Sequence, residues 1–275
     1  MAQAFLITLR EGLEAALIVA IVLAVLARIG RRGDFAAVWW GVTGAVLVSI
    51  IGGALLFALG LALEGTAEEI FEGTAMLLAV GVLTWMVIWM RRQARYIRGD
   101  LERQVRQAVA TGSPVGLASL AFLAVGREGL ETTLFLFAAV KTATPLATLV
   151  GGTLGLGLAS ILGYTIYRGS RRLNLRVFFT TTGVFLILFA AGLLAHGLHE
   201  LQEAGLLPVV IEHVWDTNRI LNEGAGLGAF LKSIFGYNGN PSLLEVIAYP
   251  TYLVLALLYL LRPLPATSTA GRLVR

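Results

Sequence analysis

Two copies of one charged stretch decide the fold of this chain: Arg10-Glu11-Gly12-Leu13-Glu14 and Arg127-Glu128-Gly129-Leu130-Glu131. Each copy, called the motif below, lies inside a run of apolar residues that is long enough to span a membrane. A charged side chain at the centre of a membrane helix costs about 2.5–3.5 kcal/mol on insertion scales. Three charged residues in each of two copies therefore indicate a functional site.

Helix geometry places the charges of each motif on one face. Successive helical residues are rotated by about 100°, so the arginine and both glutamates share about a third of the circumference. The motif glycine leaves a flat spot where another helix can approach. If the two faces meet, four carboxylates and two guanidinium groups form a pocket of formal charge −2, which suits a hard cation. The predicted metal ligands are Glu11, Glu14, Glu128 and Glu131, and the predicted charge-balancing residues are Arg10 and Arg127.

The composition is that of a polytopic membrane protein. Of the 275 residues, 57% are hydrophobic and only 14% are charged, whereas soluble domains carry roughly 25% charged residues. The absence of cysteine excludes disulfides and thiolate metal sites. The net charge of +4 does not indicate a nucleic-acid partner, because the basic residues are spread over short loops. The lipid bilayer is the partner that this composition predicts.

Seven apolar runs are predicted to form transmembrane helices, at about 4–27, 36–63, 70–90, 115–140, 145–167, 177–198 and 243–261. Trp85 and Trp89, near one end of the third run, are interpreted as interface anchors. The arginine-rich segment 91–107 is predicted to form a short cytoplasmic helix that is polar nearly all round. The long segment 206–241 is expected to contain short interfacial or re-entrant helices.

The distribution of basic residues predicts the orientation. Sixteen of the 21 Lys and Arg residues lie in alternate loops and the tail, against three on the opposite side. The positive-inside rule then places the N-terminus outside and the C-terminus in the cytoplasm. With the two motif helices running in opposite directions, the fold class is predicted to be all-α, with a 3+3 inverted repeat plus one helix. Both motifs then lie near the middle of the membrane.

The whole chain is expected to form a single transmembrane domain. Its parts are repeat one at about 1–92, a cytoplasmic linker at about 93–113, repeat two at about 114–203, an outer loop at about 204–242, and the seventh helix with the tail at about 243–275. No cofactor is expected to be bound permanently.

A second group of candidate ligands lies on the predicted outer side. Its members are Glu68, Glu69, Glu72, His196, His199, Glu200 and Glu203. Two pairs within it repeat the Glu-x-x-Glu spacing of the motif, which places both carboxylates on one helical face. The group is either a solvated acidic helix end or an outer vestibule that attracts metal cations; the sequence leaves both interpretations open.

The paired motif is that of a known family: the chain resembles the oxidase-dependent iron permeases of the fungal Ftr and bacterial EfeU type. The stretches Glu68-Glu69-Ile70-Phe71-Glu72-Gly73 and Ala190 to Glu200 are also similar to the bacterial branch. The resemblance implies seven transmembrane helices, import of ferric iron across the cytoplasmic (inner) membrane, and a requirement for the arginines and glutamates of both motifs. It also implies extracytoplasmic partners that oxidise or deliver iron: a multicopper oxidase in fungi, and periplasmic cupredoxin-like and haem-peroxidase proteins in bacteria.

Two alternatives remain open at this point. Carboxylate chemistry does not distinguish Fe³⁺ from Fe²⁺, Mn²⁺ or Pb²⁺ as the transported ion. An intramembrane metalloprotease would also place glutamates and histidines on membrane helices. The histidines of this chain cluster at one outer end, however, and a protease needs one site rather than two inverted halves. The chain is therefore predicted to be a transporter and not an enzyme.

The orientation can be tested on this cysteine-free chain. A cysteine introduced at Arg98 or Arg172 should be shielded from impermeant thiol reagents added to intact cells, because both positions lie in arginine-rich loops. A cysteine at Asn238 should react. Labelling of the Arg98 variant from outside would contradict the orientation.

Overall fold

The computed structural model describes residues 1–93, 97–110, 112–142, 144–168 and 175–262. In these ranges all regular secondary structure is helical, and no strand is formed. The helices are α1 (Ala2–Arg28), α2 (Phe35–Ala62), α3 (Thr66–Gln93), α4 (Ile97–Ala110), α5 (Pro114–Thr142), α6 (Pro145–Tyr167), α7 (Leu175–Glu203), α8 (Gly226–Phe235) and α9 (Leu243–Leu261). Most of the predicted basic loop 168–176, part of the arginine-rich segment and the predicted tail lie outside the described residues.

Five stretches of the described chain are long and apolar enough to cross a membrane: Arg32–Ala62, Thr66–Met90, Pro145–Tyr167, Val177–Glu203 and Leu243–Leu260. The all-helical fold class and a multi-pass membrane protein are thereby supported. The two remaining predicted spans form α1 and α5, of 27 and 29 residues, which carry the charged motif. The count of seven spans and the orientation of the termini stay predictions.

The helices pack in three close pairs: α1 on α6, α5 on α2, and α3 on α7. Both motif glycines lie in such contacts, as their small size predicts. A Cβ atom on Gly12 would lie 3.0 Å from the Cβ atom of Ala159 on α6, and one on Gly129 would overlap Ser49 on α2. The glycines thus let the motif helices approach their partners closely, and the charged side chains of the motif point to the interior of the bundle.

The arginine-rich segment differs from its prediction as a helix that is polar nearly all round. Helix α4 begins at Ile97 and buries Leu101 and Val105 against an apolar cluster that includes Val22 on α1 and Leu117 on α5. The 97–110 part of the segment is therefore amphipathic. The many charged residues of the segment led to the prediction of a polar helix. Leu101 and Val105, which lie four residues apart and so on one face, form a short apolar stripe.

The predicted outer loop is folded against the bundle and contains the short helix α8. An interfacial or re-entrant position of this helix stays a prediction. Gly236 ends α8 with a left-handed φ of +68°. Its backbone approaches Gly192 of α7 so closely that a Cβ on either glycine would overlap the other residue. Gly192 lies about three turns before the end of α7 at Glu203. The C-terminal end of α8 therefore contacts α7 about three turns inside the helix and not at its end.

The close contact between α1 and α6 should depend on Gly155, because a Cβ there would overlap Thr8 and lie 2.5 Å from the carbonyl oxygen of Phe5. We expect Gly155→Ala to destabilise the protein by about 1–3 kcal/mol, seen as a lower thermal midpoint in detergent micelles. Gly157→Ala is the matched control on the same helix, since nothing lies within 4 Å of its Cβ position. Equal midpoints for the two variants would contradict this packing.

Candidate metal site

The first motif forms a buried network on α1. Nη1 of Arg10 lies 2.9 Å from Oε1 of Glu11, and Nη2 lies 3.3 Å from Oε1 of Glu14. All three side chains are almost fully buried. The arginine thus pairs with both carboxylates of its own motif, because residues one and four positions apart lie on the same side of a helix.

The second motif repeats this arrangement on α5. Nη2 of Arg127 lies 3.0 Å from Oε1 of Glu128, and Nε lies 3.2 Å from Oε1 of Glu131. The two copies differ in exposure, since the side chain of Arg127 is 39% exposed and that of Arg10 only 1%. The equivalence seen in the sequence is therefore kept in the ion pairs but not in the surroundings.

Three of the four predicted ligands place carboxylate oxygens close together. Glu11, Glu128 and Glu131 each offer a carboxylate oxygen, and these oxygens lie within 4.8 Å of one another. Ligands opposite each other around a small hard cation are about 4.2 Å apart, so small side-chain movements would let all three bind one ion. Oε2 of each of these glutamates is buried and has no hydrogen-bond partner. A cation bound here would satisfy oxygens that are otherwise left without partners.

The fourth predicted ligand, Glu14, is not part of this cluster. It pairs with Arg10 and lines a cavity of about 480 Å³ that extends from the motifs to α4. Arg127 and Glu128 also line the motif end of this cavity, and Glu102 lines it at α4. The predicted cage of four carboxylates is thus arranged as three clustered carboxylates and a fourth along a passage.

The bundle is closed on the other side of the cluster. Ile7, Leu83 and Phe135 have almost no exposed surface and belong to one apolar core of α1, α3, α5, α7 and α9. Ile7 precedes Glu11 by one turn of α1, and Phe135 follows Glu131 by one turn of α5. The carboxylates therefore lie between a packed apolar layer and a cavity.

Three residues that the sequence analysis did not assign to the site surround the two arginines. Nη1 of Arg10 lies 2.7 Å from Sδ of Met86, and its guanidinium lies 5.9 Å from the ring centroid of Phe179. The guanidinium of Arg127 lies 4.9 Å from the ring centroid of Trp89. Trp89, which was interpreted as an interface anchor, thus also contacts the motif. Its position on the motif-facing side of α3 follows only from the tertiary packing.

The candidate outer ligands lie where α3 begins and α7 ends. The start of α3 packs on the last turns of α7, where Gly73 approaches Leu201 closely. The charges of Glu69 and Glu72 therefore act on Glu200. Glu68 lies beside them in the first turn of α3. His196 is largely buried and is within electrostatic range of Lys232. The acidic residues are thus grouped, whereas the charges acting on His196 are of both signs, from Lys232 and from Glu223 and Glu245.

The outer group also contains a buried carboxylate that the sequence analysis missed. Nδ1 of His199 lies 3.0 Å from Oε1 of Glu245, whereas its Nε2 lies 3.4 Å from Oε1 of Glu203. Glu245 also accepts hydrogen bonds from Nδ2 of Asn238 and from the backbone of Ser242. The capping-box spacing of Ser242 and Glu245 was the available signal, since it predicts a helix start with a fixed glutamate.

A second carboxylate holds the outer segment itself. Burial works against ionisation of Glu223, yet its pKa lies below the ordinary value because the backbone N–H of Gly239 and the ammonium group of Lys232 both donate to it. These contacts are 2.9 and 3.2 Å long. Glu223 therefore joins the segment before α8 to the segment after it.

Comparison with known proteins assigns the chain to a family. Residues 1–272 match the family described as "Iron permease FTR1 family". The chain belongs to this iron permease family. The match covers almost the whole sequence, so the predicted resemblance is confirmed. This membership supports iron as the transported substrate. Together with the long apolar helices, it also supports a multi-pass membrane protein.

The chain is similar over nearly its full length to curated members of the iron permease family. A protein named ferrous iron permease EfeU from Escherichia coli O6:K15:H31 (strain 536 / UPEC) is 38% identical over 279 residues, covering 98% of this chain and 99% of that relative. The EfeU protein of Yersinia pestis is 37% identical over 276 residues, covering 97% and 95%. A relative in Escherichia coli (strain K12), 38% identical over 277 residues, is named a putative inactive ferrous iron permease. No solved structure gives a significant match.

The cluster predicts that the four motif glutamates contribute unequally to iron binding. Glu11→Gln, Glu128→Gln and Glu131→Gln should each weaken iron binding by at least about tenfold. Changing a residue that only supports a metal ligand already costs about that much affinity, and removing a ligand itself should cost more. Glu14→Gln is the control, since Glu14 is equally buried but lies outside the cluster. Anaerobic titration calorimetry with Fe²⁺ on the purified protein measures the affinities. If Glu14→Gln weakens binding as much as Glu11→Gln, the three-residue site is contradicted.

Proposed function

We propose that this iron permease family member imports iron, binding the ion at Glu11, Glu128 and Glu131 near the middle of the membrane. The observation that carries the proposal is the cluster itself: three carboxylates from two helices lie within 4.8 Å of one another, with buried oxygens that lack partners. Keeping such a group in an apolar bundle is costly unless a cation binds it.

The proposed architecture is seven membrane helices in a 3+3 inverted repeat plus one, within a single permease domain. The packing supports it, because α1 packs on α6 as α5 packs on α2. The excess of basic residues on one side supports an outer N-terminus and a cytoplasmic C-terminus in the inner membrane. In this orientation the cavity between the motifs and α4 opens toward the cytoplasm.

Transport would then follow alternating access. The arrangement described above is open on the cytoplasmic side and closed outside by the layer around Ile7, Leu83 and Phe135. An outward-open state requires the packed layer to part and the cavity to close. Arg10 and Arg127 would balance the carboxylate charge while no ion is bound and would turn away from the carboxylates when iron enters.

The oxidation state of the transported iron is the finer question. Four carboxylates and two guanidinium groups carry a formal charge of −2, which Fe²⁺ neutralises and Fe³⁺ overcompensates, and a neutral complex is favoured in a low-dielectric site. The named relatives are ferrous iron permeases, so we favour Fe²⁺. The all-oxygen donor set favours Fe³⁺, and the ferric form implied by the family resemblance stays a second candidate.

The outer group would concentrate cations before they enter the bundle. Its support is the meeting of Glu69, Glu72 and Glu200 at the outer ends of α3 and α7. Extracytoplasmic proteins that oxidise or deliver iron would act on this side. The carboxylate cluster found among the described residues contains no histidine, and His196 and His199 lie in the last turns of α7. This arrangement supports a transporter rather than an intramembrane protease.

Uptake into liposomes tests the function directly. Purified protein is reconstituted into liposomes that contain an iron-sensitive fluorophore. Four substrates are offered separately: Fe²⁺ kept reduced by ascorbate, ferric citrate, Mn²⁺ and Pb²⁺. We expect Fe²⁺ uptake above that of empty liposomes and its loss in Glu128→Gln. Entry of Mn²⁺ or Pb²⁺ without iron would refute the assignment. The Glu69→Gln/Glu72→Gln variant in the same vesicles should raise the apparent KM for iron, and an unchanged KM would leave the outer group as a solvated helix end.

A further inference from the structure

We infer that α3 provides two positioning residues for the metal site: Met86 for Arg10 and Trp89 for Arg127. Helix α3 carries no part of the motif, yet it contacts the arginine of each copy. The two residues lie three positions apart and so share one face of the helix. This inference rests on the proposed function, because positioning matters only if the arginines control access of a cation to the carboxylates.

The contact between Arg10 and Met86 is fully enclosed. Met86 has no exposed surface, and its Sδ lies 2.7 Å from the same Nη1 that contacts Glu11. A thioether is a weak, uncharged acceptor, so it competes little with the carboxylate while no cation is bound. Once a cation takes the carboxylate oxygen, the sulfur and the ring of Phe179 still offer the guanidinium a favourable place.

Arg127 needs such a contact more, because it borders the cavity. Its side chain is 39% exposed, and a free arginine side chain loses much rotamer entropy when it is fixed in one position. The ring of Trp89 lies 4.9 Å from the guanidinium, and Trp85 stacks on Trp89 at 5.9 Å with an interplanar angle of 20°. The stacked indoles give Arg127 a defined position facing Glu128 and Glu131.

Neither partner is an anion, and this decides the proposed role. An additional carboxylate beside each arginine would hold the guanidinium after the cation had bound, and would add negative charge. Sulfur and an aromatic face keep the arginine close to the glutamates without competing for the metal. The arginines can therefore leave the carboxylates and return to them over a short distance. Both contacts come from the same helix, so α3 links the surroundings of the two motifs.

The test compares four variants with two matched controls in the liposome assay. Trp89→Leu should raise the apparent KM for iron by roughly 2- to 30-fold, the range expected from loss of a cation–aromatic contact, with a smaller change in maximal rate. Met86→Leu should raise the KM by roughly 2- to 5-fold, the low end of the net contribution of a hydrogen bond, because a thioether is a weak acceptor. Trp89→Phe and Trp89→Tyr should restore most of the affinity, because each keeps an aromatic face. Met76→Leu, which is buried on the same helix, and Trp40→Leu, which is exposed on α2, should behave as the parent.

A merely structural role would lower the yield of folded protein and the maximal rate without this selective rise in KM. If the parent imports iron and Met86→Leu and Trp89→Leu keep its KM, the positioning role is refuted while the proposed function stands. A parent that imports no iron would refute the proposed function, and a second measurement would then decide the contact of Arg127.

That measurement needs no transport. With Trp39, Trp40, Trp85 and Trp215 replaced by phenylalanine, Trp89 is the only tryptophan left of the five in the chain. Arg127→Gln should shift its fluorescence emission maximum, because a cation then no longer faces the indole ring. Arg28→Gln, which removes an arginine that also lines the cavity, is the control. Identical emission spectra with and without Arg127 would overturn the positioning of this arginine by Trp89.

Discussion

The structure depends on the pairing of two arginines with four glutamates inside an apolar bundle. Isolated charges of this kind would each cost several kcal/mol when they leave water. Arg10 and Arg127 reduce this cost by contacting both carboxylates of their own motifs at 2.9–3.3 Å. The pairing is incomplete, since one oxygen of each clustered glutamate has no partner. A cation would complete it, which links the cost of burying the site to the proposed binding of iron.

Close helix packing brings the two charged faces together. The motif glycines let α1 approach α6 and α5 approach α2, while the charged faces of α1 and α5 turn toward each other. Between helices in a membrane there is little hydrophobic driving force, so small residues and short interhelical distances determine the packing. The motif glycines that stabilise the helix packing therefore also influence the distance between Glu11 on α1 and the two glutamates Glu128 and Glu131 on α5.

The two sides of the cluster have different physical character, so in this conformation an ion has access to the carboxylates from one side only. On one side, tightly packed apolar residues leave no space for a hydrated ion. On the other, a cavity of about 480 Å³ reaches Glu102 on α4. Helix α4 can border this cavity because its apolar stripe packs on α1 and α5. Met86 and Trp89 of α3 lie at the same level as the arginines, so a movement of α3 would change the surroundings of both motifs at once.

The sequence by itself determined the helical class, the positions of the long apolar helices, the motif residues and the family. These features depend on local composition and on the spacing of residues along one helix. The sequence did not determine that Glu14 lies outside the group formed by the other three carboxylates, that Trp89 faces Arg127, or that Glu245 contacts His199. Each of these depends on how helices distant in the chain are rotated and translated against one another. Such rotations are fixed by the summed packing of many apolar and small side chains, and no single pattern along the chain records them.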